Sequence, residues 1–134
     1  MSGSEPPYTT TLRALMMPAD TNHQGTVFGG VILSRIDQAG YLQARRHGQH
    51  RWVTLTMESV QFHAPVFTGD VVSFLTRTIR TGRSSVTVEI RVEAERRVRQ
   101  DTVLVTDARL VMVAVDEDLK PLPFDSPPTV DEEA

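Results

Sequence analysis

Only one segment of the chain, residues 27–46, has the apolar periodicity of a long helix. On a helical wheel its apolar side chains form one broad arc that should face the core, made of Phe28, Val31, Ile32, Ile36, Ala39 and Leu42. The pair His47-Gly48 that follows is a typical helix stop. Because one helix covers one face of a sheet, the other segments must form the layer on which it packs.

Strand-like segments lie on both sides of this helix in the sequence. The expected strands span residues 8–17, ended by Pro18, and then residues 52–63, 70–80, 85–96 and 102–116. The apolar phase shifts near Glu58 and Ser59, which indicates a β-bulge, and it slips again near Asp107. Short turns join the last four strands, which predicts antiparallel neighbours. The expected fold class is α+β, with one long helix against an antiparallel sheet of about five strands.

The length of 134 residues suits a single domain. Residues 1–7 and the acidic, proline-containing residues 125–134 are expected to be disordered, which leaves residues 8–124 as the domain. The long apolar strands offer more surface than one helix can cover. Two or more copies of the chain should therefore assemble.

Composition argues against several kinds of partner. A net charge of −3 is unfavourable for nucleic acid or an anionic membrane as the main partner. The absence of cysteine excludes disulfides and a thiol nucleophile, and it fits a cytoplasmic protein. No apolar run reaches the roughly 20 residues that span a bilayer, and the N-terminal residues lack the pattern of a signal peptide. The histidines are not grouped with carboxylates, so no metal site is expected.

Two features of the helix work against its stability. Gly29 and Gly30 lie where the helix begins, at a cost of about 1 kcal/mol each relative to alanine. Unpaired N–H groups and the positive end of the helix dipole meet there, so glycines would let a substrate oxyanion approach. Asp37 lies among apolar residues, where desolvation would make it a reactive base or nucleophile. The alternatives are close helix–sheet packing for the glycines and an ion pair of Asp37 with Arg35 or Arg45.

The spacing of these features constrains how they would cooperate. Seven residues of helix separate Gly30 from Asp37 by roughly 10 Å along the axis. That distance is too long for both to act on one carbonyl carbon within a chain. A symmetric dimer would instead bring Asp37 of one subunit to the glycine turn of the other.

The helix and its entry loop carry a recognisable pattern. The motif N-x-x-G-x-x-F-G-G, followed by six residues and D-x-A-G, resembles the hotdog-fold acyl-CoA thioesterases. The stretches "MMPADTNHQGTVFGG", "ESVQFHAPVFTGDVV", "TGRSSV" and "VAVDEDLKPLP" are similar to the cytosolic acyl-CoA hydrolase branch in particular. The resemblance extends from about Leu12 to Pro123. It implies a hotdog fold and hydrolysis of acyl-CoA. It also implies a homodimer with two interface sites, and assembly of such dimers into a tetramer or hexamer.

The resemblance also implies roles for individual residues. Asp37 would be the general base or nucleophile, and the N–H groups of Gly29 and Gly30 would hold the oxyanion. Asn22 would place the thioester carbonyl or the attacking water, although a loop asparagine is also a common Asx-turn residue. Related branches have histidine where this chain has Phe28, so Phe28 is assigned to substrate contact only. Since CoA is part of the substrate, no cofactor is expected.

Further contacts to substrate are expected from residues outside the helix. His23 follows Asn22 and would touch substrate, unless it is an ordinary solvated loop residue. Thr54 and Ser59 would line the pantetheine path. The turn with Arg83, Ser84 and Ser85 would bind CoA phosphates, or else it is an ordinary basic hairpin tip.

Two other functions use the same fold. A regulatory acyl-CoA-binding module would need the ligand groove but no acidic residue at position 37. An enoyl-thioester hydratase typically needs an Asp–His pair, and no histidine lies near Asp37 in the helix. Hydrolysis is therefore the leading prediction.

Overall fold

The computed structural model describes residues 5–130 as one helix and five strands. The elements in chain order are β1 (Thr9–Leu15), a short 3₁₀ turn (Pro18–Asp20), α1 (Gly29–Arg45), β2 (Arg51–Phe62), β3 (Val71–Thr81), β4 (Ser85–Glu95) and β5 (Thr102–Val115). The strands form a single antiparallel sheet in the order β1-β3-β4-β5-β2. The predicted α+β class and the number of strands are confirmed.

The strand order corrects one expectation. β2 and β3 follow each other in the sequence, but β4 and β5 separate them in the sheet. The segment between them, residues 63–70, does not form a hairpin turn. It pairs instead with the loop before the helix, where Thr26 bridges Phe67 and the Val27 N–H donates to the Val66 carbonyl at 2.8 Å. β2 therefore does not pair with β3, and it lies at the edge of the sheet beside β5.

The core lies between α1 and the centre of the sheet. Alternate residues of β4 are fully buried under the helix, namely Val86, Val88, Ile90, Val92 and Ala94. The helix buries Ile32, Ile36, Ala39, Gly40 and Ala44 against them. Phe28 was expected on this face, which was wrong, because it precedes the first helical residue and remains 52% exposed.

The predicted bulge in β2 is confirmed. Register shifts between Glu58 and Gln61, and Ser59 has a left-handed φ of 56°. The second slip lies at Val105, two positions before the expected one at Asp107, because Val92 pairs with Thr106 while Glu93 pairs with Leu104. Both bulges let long strands bend around the helix.

The C-terminal end of the helix differs from a glycine-capped stop. α1 ends at Arg45 with a right-handed C-cap, and Gly48 does not have a left-handed φ. A Cβ at Gly48 would lie 2.5 Å from the carbonyl oxygen of Phe124. Glycine is thus needed there because another chain segment approaches closely.

Parts of the flanking segments contact the domain. The Thr129 N–H donates to the Gln49 carbonyl at 3.0 Å, and the Glu5 carboxylate lies 3.1 Å from the guanidinium of Arg77. Residues 1–4 and 131–134 of the predicted lead and tail lie outside the described residues. Within residues 5–130, no helix is long and apolar enough to cross a lipid bilayer.

Candidate active site

Asp37 lies in the middle of α1, on the side that faces the edge strand β2. The hydroxyl of Thr54 donates to its Oδ1 atom at 2.5 Å. Thr54 pairs with Met112, whose side chain is buried under the helix, so this strand face points toward α1. The hydrogen bond therefore holds the carboxylate at the boundary between helix and sheet.

No cation neutralises Asp37 among residues 5–130. Arg35 donates to the Gln38 side chain at 3.2 Å, and the guanidinium of Arg45 lies 5.8 Å from the Tyr41 ring centre. None of the ion pairs in this part of the chain includes Asp37. The ion-pair alternative is therefore wrong for the single protomer. The expected desolvation of Asp37 is also wrong there, because the carboxylate is exposed to solvent.

A groove of about 630 Å³ opens beside this carboxylate. The lining residues are Asp37, Gln38, Thr54, Tyr41, Leu42, Trp52, Val53 and Met112, most of which are apolar or aromatic. No histidine is among these residues, so the Asp–His pair of a hydratase is not present in this groove. An apolar groove with one free carboxylate at its side suits an apolar ligand that carries one reactive polar group.

The glycine turn at the start of α1 is open. A Cβ added at Gly30 would meet no atom within 4 Å, and one at Gly29 would lie 3.6 Å from the Phe62 ring, an ordinary contact. Close helix–sheet packing does not explain these glycines. The N-cap residue Phe28 makes no side-chain cap, and no described residue accepts a hydrogen bond from either glycine N–H. The turn thus presents two backbone donors at the surface.

Asp37 and the glycine turn belong to different cavities of the protomer. Gly29 lines a second cavity of about 330 Å³ together with Phe62, His63 and Val105, among other residues. None of its lining residues is shared with the groove that contains Asp37. One chain therefore does not bring the predicted catalytic groups together, in agreement with the roughly 10 Å that seven helical residues span.

Asn22 organises the loop that precedes the helix. Its Oδ1 accepts from the N–H groups of Gln24 at 2.8 Å and Thr26 at 3.2 Å, and its Nδ2 donates to the Thr26 hydroxyl at 3.0 Å. These are the bonds of an Asx-type turn. The neighbouring His23 is exposed. The substrate roles of both residues stay predictions.

The other expected substrate contacts lie apart from the groove, except for Thr54. Ser59 lines a pocket with Tyr8 and Glu89, on the sheet face that points away from α1. Arg83 is exposed at the turn between β3 and β4. Ser84 and Ser85 are half-buried in the same turn, where the Ser84 carbonyl accepts from Ala114 and the Ser85 carbonyl accepts from Gly82. Phosphate binding at this turn stays a prediction.

An ionic cluster lies on the sheet face that points away from α1. Arg77 and the hydroxyl of Tyr8 both bind the Glu89 carboxylate. Burial would raise the pKa of Glu89, but the hydrogen bonds from Arg77 and Tyr8 outweigh it and hold the pKa below its ordinary value. Burial, together with the bond to Glu89, raises the pKa of Tyr8. The cluster ties the N-terminal residues to the sheet, away from Asp37.

Sequence reasoning missed two features of these cavities. Trp52 lies in the groove, and its position two residues before Thr54 on one strand face was the available signal. His63 lines the cavity of Gly29 and contacts Asp107, with 2.7 Å between Nε2 and Oδ2. That pair joins the residue that follows β2 to β5, two segments that are distant in the sequence. No three potential metal ligands cluster anywhere in residues 5–130.

The pattern of the thioesterase superfamily matches residues 24–100, more than half of the chain. The chain belongs to the thioesterase superfamily. Another member, the acyl-CoA thioester hydrolase YciA of Salmonella typhimurium, is 37% identical over 116 residues, which cover 84% of this chain and 87% of that protein. The resemblance stated from the motifs is confirmed.

Solved thioesterases share the whole fold. The hexameric thioesterase from Yersinia pestis has 40% identity and a TM-score of 0.84, over 90% of this chain and 98% of that one. An acyl-CoA hydrolase from Staphylococcus aureus, solved with butyryl-CoA, CoA and CoA disulfide, has 30% identity and a TM-score of 0.77, over 99% of this chain and 79% of that one. The hotdog fold is confirmed for this superfamily member.

Proposed function

We propose that the protein hydrolyses acyl-CoA thioesters to a carboxylic acid and free CoA. The observation that carries this proposal is the carboxylate of Asp37, which no cation among residues 5–130 neutralises and which Thr54 holds beside an apolar groove. Membership of the thioesterase superfamily and the named activity of the relatives support the reaction class. The cytoplasm, which the cysteine-free sequence predicts, is the proposed compartment.

The chemistry follows from the two predicted groups. Asp37 accepts a proton from water while the water oxygen bonds to the thioester carbonyl carbon. The N–H groups of Gly29 and Gly30 hold the oxyanion that forms. The C–S bond then breaks, CoA leaves as a thiolate, and the thiolate takes up a proton. In the alternative route Asp37 attacks directly, and water hydrolyses the resulting mixed anhydride.

The site is proposed to lie between two protomers. Within one chain the carboxylate and the glycine turn open into different cavities, which supports a site completed by a neighbouring subunit. The edge strand β2 supports a partner on this side, since Leu55 is 66% and Phe62 51% exposed along it. The hexameric state of the Yersinia relative supports a homo-oligomer built from such dimers.

Release of free thiol from a panel of acyl-CoAs tests the hydrolase assignment. We expect Asp37→Ala to lower kcat by at least about 10²-fold while the protein stays folded and assembled. Asp101→Asn, a carboxylate change in the turn between β4 and β5, is the matched control and should leave the rate unchanged. If the parent binds acyl-CoA but hydrolyses none, the protein is a binding module and the proposal is wrong.

Mixed dimers test the shared site. Asp37→Ala and Gly30→Val are each expected to be inactive alone. In a dimer of one with the other, a single site keeps both the intact carboxylate and the intact glycine turn. Co-expression should therefore restore about a quarter of the parent activity, because half of the dimers are mixed. No recovery in mixed dimers that are shown to form would place each site within one chain.

A further inference from the structure

The C-terminal residues 120–130, here called the C-terminal strap, run from the end of β5 past the groove. Pro121 bridges Val115, and the Leu122 N–H donates to the Ala114 carbonyl at 2.9 Å. The Phe124 N–H then donates to the Arg83 carbonyl at 3.2 Å. The strap is thus joined to β5 and to the turn between β3 and β4.

Phe124 of the strap packs on a wall of the groove. Its ring centre lies 6.0 Å from that of Trp52, with 38° between the planes. Trp52 is only 5% exposed, and its indole N–H donates to the Gly48 carbonyl at 3.0 Å. The indole of Trp52 is therefore held by the Phe124 ring and by its bond to Gly48, and it also lines the groove.

A buried histidine anchors the strap. The His50 Nε2 atom lies 2.8 Å from the Phe124 carbonyl oxygen, and its Nδ1 atom lies 2.8 Å from the Thr129 hydroxyl. Because a carbonyl only accepts, Nε2 carries a proton and donates to it, while Nδ1 forms the second hydrogen bond with the Thr129 hydroxyl. Gly48 leaves the space into which the Phe124 carbonyl fits. Such a satisfied buried network holds one arrangement of the strap.

We propose that Phe124 is a positioning residue for Trp52 and that the C-terminal strap thereby sets the length of acyl chain the groove accepts. Trp52 precedes Thr54 by two residues on one strand face, so the indole lies roughly 7 Å along β2 from the hydroxyl that holds Asp37. An acyl chain that extends from a carbonyl at Asp37 along the apolar wall meets the indole once it spans that distance. This inference rests on the proposed hydrolase function.

Hydrolysis of saturated acyl-CoAs from butyryl to palmitoyl by Phe124→Ala tests the inference. Without the phenyl ring the indole can tilt away, so the ratio of kcat/KM for long over short chains should rise about 10-fold. The gain should come mainly from a lower KM for long chains, and butyryl-CoA should be hydrolysed within about twofold of the parent rate. Trp52 is the only tryptophan of the chain, so its fluorescence should shift to the red as the indole gains solvent.

Two further variants complete the experiment. Phe124→Leu keeps most of the apolar volume and should give a smaller shift in chain length, which carries the test if Phe124→Ala does not fold. Leu119→Ala, in the exposed turn before the strap, should change neither the length profile nor the fluorescence. An equal loss of kcat/KM at every chain length would overturn the inference but not the proposed hydrolase function. Absence of hydrolysis by the parent at all lengths would instead overturn the proposed function.

Discussion

The first turn of α1 carries Gly29 and Gly30 at the surface, and the middle of the same helix carries Gly40 against the sheet. At Gly30 an added Cβ would meet no atom within 4 Å. At Gly40 it would lie 2.9 Å from the Leu110 Cδ2 atom and 3.7 Å from the Ile90 Cδ1 atom. Two glycine sites on one helix therefore have opposite surroundings.

This difference separates two reasons for keeping glycine in a helix. Gly40 is favoured by the protomer itself, because an added Cβ would displace the buried Leu110 side chain. The glycines of the first turn meet no such demand within the chain, although each costs helix stability. We propose that their reason lies in what approaches from outside, namely the substrate and the partner subunit. Valine at Gly30 should lower activity and leave stability unchanged, whereas valine at Gly40 should lower stability and leave activity unchanged.

The largest expected effect is on activity, from Gly30→Val. A branched side chain would shield the N–H groups of the first turn, and loss of one oxyanion donor typically costs 10²- to 10³-fold in kcat. The melting temperature should not fall, because the side chain points into open space in the protomer. Thiol release and thermal unfolding at one protein concentration measure the two effects.

The oligomeric state of Gly30→Val decides how its inactivity is interpreted. An inactive variant that keeps the parent's assembly supports the donor role of the turn. An inactive variant that falls apart into monomers would show that Gly30 serves contact between protomers. Normal activity in an assembled variant would remove the turn from the catalytic site.

Gly40→Val is expected to show the reverse pattern. Overpacking against Leu110 should lower the free energy of unfolding by about 2–3 kcal/mol, which corresponds to a fall in melting temperature of roughly 5–10 °C. The rate per folded molecule, measured well below that temperature, should stay near that of the parent. An unchanged melting temperature would contradict the packing role of Gly40.

Local periodicity was enough to predict the parts of the fold that one segment determines. The helix and the bulge beside Ser59 follow from the spacing of apolar residues within a few turns or a few strand positions, although the helix begins at Gly29 rather than at residue 27. The separation of Gly30 from Asp37 follows from helical rise alone. The strand order was not predictable in this way. It depends on residues 63–70 pairing with the loop before the helix, which a turn-length argument does not detect.

The residues around the groove also differ in whether the sequence could predict them. Asp37 could be singled out because it breaks the apolar pattern of a helix, and Thr54 because of the family resemblance. Phe124 breaks no local pattern, and it meets Trp52 only because the chain returns along β5. The C-terminal strap likewise includes several prolines, and buried His50 bonds to two of its residues, contacts that composition cannot reveal. Contacts between distant segments are the part that composition and periodicity leave open.

The smallest expected effect concerns His47, which follows the packed end of α1. Its Nε2 atom lies 2.7 Å from the Thr78 hydroxyl, and burial lowers its pKa below the ordinary value of 6.5. The unfolded chain therefore binds a proton at His47 more readily than the folded one. This contribution to stability is complete above about pH 6.5 and is lost as the pH falls toward the folded pKa.

His47→Gln removes the titration, so melting temperatures of parent and variant should differ less at pH 5 than at pH 8. Parallel curves across this range would show that His47 does not couple protonation to folding. The first turn of α1 carries no titrating group, so Gly30→Val should leave this pH dependence unchanged.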